Sequence, residues 1–76
     1  MNNARRKTLS EIRDKLSDLH DLLDEVKDEE ECAKDNLPDS LQESERAEQM
    51  QEAVDNLDSA VSSIEEAIEY IESAEE

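Results

Sequence analysis

The sequence predicts an all-α protein, an antiparallel two-helix hairpin of coiled-coil type, and three observations carry that prediction. Met50, Val54, Leu57, Val61, Ile64, Ile68 and Ile71 recur at alternating steps of four and three, the 3.5-residue period of a helix that lays one stripe against a partner helix. Leu9, Ile12, Leu16, Leu19, Leu23 and Val26 repeat that pattern in the first half of the chain. Between the two stripes stands Pro38, the only proline, in a chain with no glycine and a single aromatic residue, Tyr70. Tight turns between strands have almost nothing to be built from.

The first helix is expected over about 8–35 within a single domain, 1–76. Thr8 followed by Glu11 is a capping-box pattern, which would start the helix at Thr8 and leave residues 1–7 as a basic arm. A start near Asn3 would instead place Arg5, Arg6 and Lys7 in the first turn, where the helix dipole disfavours cations. Ala33 and Leu37 continue the stripe, and Glu30 interrupts it.

A joint follows over about 36–44. Pro38 lacks an amide donor and biases Leu37 away from helical geometry. The segment from Asp39 to Gln42 is long enough for one short helical turn, and Ser44 suits the N-cap of a second helix over about 45–74, with Glu45 and Glu48 near its positive end. Ser40 with Glu43 is a competing capping box four residues earlier. In the second helix an alanine precedes each of Val54, Val61 and Ile68, at Ala53, Ala60 and Ala67, and Ala74 continues the row. Small side chains there allow close approach of a neighbouring helix.

A chain of 76 residues is in the size range where one hydrophobic core is marginal. Leu22 widens the first stripe and the alanines widen the second. A homodimeric four-helix bundle, or docking on a partner, is therefore expected over a lone hairpin.

Charge is unevenly placed. Residues 1–15 carry five cations against two acids, a local +3, whereas residues 16–76 carry three cations against twenty-two acids, −19. Such a body repels nucleic acid and anionic membrane and attracts basic surfaces. No apolar run approaches a membrane span and the first residues lack a signal-peptide core, so a cytoplasmic location without membrane contact is expected.

The residues of known chemistries do not assemble. A di-iron bundle requires Glu-x-x-His pairs, but Ser17 stands three residues before His20, the only histidine. His20 with Asp24 reads as a surface pair. A calcium-binding helix-loop-helix requires a loop glycine. Ser59, Ser62, Ser63 and Ser73 have no histidine in their segment to act as base. Cys32 is alone, so it forms no intrachain disulfide, and its neighbours Glu30, Glu31 and Asp35 are not the electropositive setting of a reactive thiol. Tyr70, beside Ile71, is expected to pack at the open end of the hairpin. No catalytic residue, metal site or cofactor is expected, and the chain does not read as an enzyme.

Acidic faces are what remains. Asp18, Asp21, Glu25 and Asp28 form a row on the first helix; Glu45, Glu48, Glu52, Asp55 and Asp58 form another on the second, continued by Glu65, Glu69 and Glu72. Their mean spacing is roughly 5 Å along the helix axis, the order of the phosphate spacing of a nucleic acid strand. An ordinary solvated face would mix Lys with Glu, and here the cations are mostly missing.

The joint Asn36-Leu37-Pro38-Asp39-Ser40-Leu41-Gln42-Glu43-Ser44-Glu45-Arg46, between an acidic first helix with a basic start and an alanine-rich acidic second helix, resembles that of small acidic proteins encoded by phages and prophages of gut bacteria. The resemblance covers most of the chain and implies a phage origin; it brings no activity and no functional residues. Together with the acidic faces, it leads to the expectation of an inhibitor that occupies the basic groove of a host nucleic-acid-binding defence protein without itself binding nucleic acid. The competing expectation is a self-assembling structural or adaptor hairpin that works through its apolar stripe.

Overall fold

A computed structural model describes all 76 residues. Helix α1 spans Asn3–Asp35, a short 3₁₀ turn covers Asp39–Leu41, and helix α2 spans Glu45–Glu75. The two helices lie side by side as an antiparallel hairpin with no strand, in a rod measuring 59 × 15 × 11 Å.

The start of α1 differs from the Thr8 capping box. Asn2 is the N-cap, its side chain accepting from the Arg5 amide at 2.8 Å, while Thr8 lies inside the helix and its hydroxyl donates to the Ala4 carbonyl. The basic arm expected over residues 1–7 is therefore mostly helix. The hairpin itself relieves the conflict with the dipole, because it brings the first turn of α1 beside the last turn of α2. Arg6 Nε donates to the Glu75 carbonyl at 3.0 Å, placing a cation on the negative end of α2.

At the joint, Asn36 ends α1 and Pro38 opens the 3₁₀ turn. The Gln42 amide reaches back to the end of α1, donating at 2.7 Å to the Leu37 carbonyl and lying within 3.4 Å of those of Lys34 and Asp35. It thus satisfies carbonyls that a helix end leaves unpaired. Ser44 is the N-cap of α2, its hydroxyl accepting from the Ala47 amide at 3.3 Å and donating to the Leu41 carbonyl.

The core is thin and belongs to α2. Ala47, Val54 and Val61 are the buried residues; Met50, Leu57, Ile64, Ile68 and Ile71 are half-buried, as are Ala53, Ala60 and Ala67. On α1, Leu9, Leu16 and Leu23 are half-buried, but Ile12, Leu19 and Val26 are exposed, at 42, 55 and 49%. The other half-buried positions of α1 include Arg6, Arg13, His20, Lys27 and Lys34, a column with a step of seven. So α2 sits over the leucine column and the basic column beside it, a rotation of about 50° from the stripe expected of α1. Tyr70, expected to pack at the open end, points to solvent with 75% exposure.

Ion pairing supplies the reason for the rotation. The leucine column packs in either rotation, so the choice lies between Ile12, Leu19 and Val26 on one side and the basic column on the other, and only the basic column brings cations to the acids that flank the stripe of α2. The aliphatic stems of Arg and Lys also cover apolar surface while their charged ends reach outward.

Candidate functional site

The basic column of α1 forms a ladder with α2. Lys27 Nζ lies 3.3 Å from Asp58 Oδ1 and 3.4 Å from Asp24 Oδ1. Seven residues back along α1 and seven forward along α2, His20 Nε2 lies 2.8 Å from Glu65 Oε1, and its Nδ1 lies 3.1 Å from Asp21 Oδ1. Arg13 Nη1 donates to Glu75 Oε2 at 2.9 Å. Lys34, the last rung, makes no ion pair and is level with Gln51 in this register. The pairing of His20 with Asp24 expected along one helix is replaced by the contact across to Glu65.

Carboxylates on both ring nitrogens favour the imidazolium, in which both nitrogens donate. The Glu65 hydrogen bond, followed by that of Asp21, raises the His20 pKa above its ordinary 6.5. Asp58, then Asp24, raise that of Lys27 in the same way, so it stays charged.

Against this inward-turned column stand the acids. Asp18, Asp21, Glu25 and Asp28 on α1, and Glu45, Glu48, Glu52, Asp55 and Asp58 on α2, are all exposed. Asp21 and Asp58 are held by the ladder and Asp55 accepts from Gln51 at 2.8 Å. The other six make no ion pair.

Two shallow grooves show which acids the fold brings together. One gathers Asp21 with Glu65, Glu69 and Glu72 beside His20; the other gathers Asp55 and Asp58 with Glu31 beside Lys27. The acid row of α2 therefore meets α1 along the ladder, and Glu31 joins it although it lay outside the rows read from the sequence. A step of seven through Arg6, Arg13, His20, Lys27 and Lys34 was the available signal for the ladder.

The opposite flank is apolar. Leu19, Leu22, Leu23 and Val26 of α1 line a groove with Ile64 of α2, and Leu22 is 57% exposed. Ala60 and Ala67, four before and three after Ile64, share its helix face. The hairpin thus gathers carboxylates in the grooves beside the ladder and leaves aliphatic side chains uncovered where Leu19, Leu22 and Val26 meet Ile64.

No group of three or more His, Cys, Asp or Glu side chains converges to hold a metal ion, and neither helix is long and apolar enough to cross a membrane. No family model, no curated protein and no solved structure matches the chain.

Proposed function

We propose that this protein is a non-enzymatic, phage-encoded inhibitor that acts in the cytoplasm of the host bacterium. In this role its acidic flank occupies the basic groove of a nucleic-acid-handling defence protein, such as an RNA-guided nuclease or a restriction enzyme. One observation carries the proposal: four groups of the basic column reach toward α2, while Asp18, Glu25, Asp28, Glu45, Glu48 and Glu52 face solvent without a cation. Intrachain pairing thereby leaves an outer surface more uniformly anionic than the composition requires, and its self-repulsion would be relieved by a cationic partner.

The test is competition binding of the purified protein to a purified RNA-guided nuclease and a restriction endonuclease, each against its own duplex DNA. Affinity is expected to fall steeply with salt, and to be lost when Glu48, Glu52, Asp55 and Asp58 are replaced by their amides. Salt-insensitive binding, or none to either enzyme, would overturn mimicry.

The uncovered flank favours a second reading, a homodimeric or adaptor hairpin whose working surface is Leu19, Leu22 and Val26. Charge neutralisation would then leave function intact.

A further inference from the structure

We infer that a second copy of this chain covers the apolar flank, in an antiparallel pair of hairpins whose two-fold axis passes beside Leu22. This deepens the homodimer reading and is independent of the acidic one.

Self-complementarity along α1 identifies the occupant. Lys15, Leu22 and Glu29 stand in one column at steps of seven, and all three are exposed. Lys15 has no ion pair within the chain. When two copies of α1 run antiparallel about Leu22, Lys15 of each lies opposite Glu29 of the other. In the next column Leu19 of each lies opposite Val26 of the other, and Ile12 opposite Ala33. A two-fold interface repeats each such contact twice. A parallel pair would instead set Lys15 against Lys15 and Glu29 against Glu29.

The second helix fits the same axis. The pairing of His20 with Glu65 puts Ser63 level with Leu22, and Ala60 and Ala67 straddle that level. Two copies of α2 would cross at small side chains, closing a four-helix bundle in which the exposed aliphatic residues become core. The outline of the rod is 59 × 15 Å across its two longer axes. Full overlap covers on the order of 900 Å² per copy, against roughly 800 Å² per partner in a standard stable interface.

Each copy carries −16, so two copies repel, and the carboxylate grooves lie on the flank turned away from this contact. Salt screens that repulsion. Dimerisation should therefore strengthen with salt, the opposite sign to binding in a basic groove.

Sedimentation equilibrium of the full chain tests the pairing, with a reductant present because Cys32 is exposed. Wild type is expected to be a dimer, and Leu22→Glu a monomer. Glu29→Lys should weaken the dimer about tenfold even though it lowers the net negative charge, and Lys15→Glu should do the same. The double variant has the wild-type net charge and should recover affinity to within about threefold. Circular dichroism checks that each variant keeps its helices; should Leu22→Glu lose them, the charge pair decides, since both of its sites are on the surface. A monomeric wild type, a folded and dimeric Leu22→Glu, or a double variant as weak as the single ones would each overturn the inference.

Discussion

The two helices are alike in length, 33 and 31 residues, and both carry aliphatic residues at heptad spacing, yet they use them differently. In α2 every member of the aliphatic stripe is buried or half-buried; in α1 every second one faces solvent. The stripe of α2 is narrow, bounded by acids on one side and alanines on the other, so it has one way to dock. That of α1 spans three columns, through Leu16, Leu19 and Leu22, and only the first docks on α2. The docked face takes the basic column in place of Ile12, Leu19 and Val26, with stems that cover apolar surface and charged ends that meet Asp58, Glu65 and Glu75.

Breaking the comparison at its strongest point gives the largest effect. Val61→Asp places a carboxylate at a position with 5% exposure and is expected to cost about 3 kcal/mol or more, abolishing cooperative unfolding in a thermal melt. Tyr70→Ser, on the same helix, should stay within about 0.5 kcal/mol of wild type. Equal losses from the two would mean that α2 does not face α1 as described.

Removing a rung of the ladder is the next step down. Arg13→Ala leaves Glu75, whose side chain is 18% exposed and whose other oxygen, Oε1, is buried without a partner. An unsatisfied charged acceptor in a partly wet site should cost about 1–3 kcal/mol, read by urea unfolding. Glu75→Gln should recover part of the loss, because the amide tolerates the missing cation better.

How far each feature was legible before the coordinates follows the same division. The break at Pro38, the Ser44 cap and the stripe of α2 are local signals, set by residues within a few positions of one another. The rotation of α1 is not local, because the acids that select it, Asp58 and Glu65, lie on the other helix. The start of α1 failed for the same reason: Thr8 and Glu11 form a sound capping box in isolation, but Arg6 gains the carbonyl end of α2 only when the helix begins at Asn3. Among the candidate acids, exposure followed from helix periodicity. The convergence of Asp21 with Glu65, Glu69 and Glu72 needed the register between the helices.

The joint sharpens the contrast between local and non-local determinants. Ser44→Ala removes the cap of α2 and should lower stability by about 1 kcal/mol, measured by chemical denaturation. Asn2→Ala, at the end of the chain, should cost less, since Arg6 still ties the first turn of α1 to Glu75. A larger loss at Asn2 would show that the α1 end depends on its own cap more than on α2.

The smallest effect comes from the histidine rung, whose protonated form its two carboxylate neighbours favour. The folded protein binds the His20 proton more tightly than the unfolded chain does, because Glu65 and Asp21 raise its pKa above 6.5. The stabilisation is therefore complete below about pH 6.5 and is lost as pH climbs through the raised folded value. At fixed protein concentration the melting temperature should fall as pH rises above 6.5, and His20→Gln should flatten most of the decline. Glu65→Gln should flatten it more than Asp21→Asn does, because the Glu65 contact is the shorter and crosses between the helices. A proton NMR titration of the single histidine ring reads the same shift directly. An imidazole titrating at its ordinary value, or equal melting slopes in wild type and His20→Gln, would remove His20 from the ladder and leave Arg6, Arg13 and Lys27 as the cations that link α1 to α2.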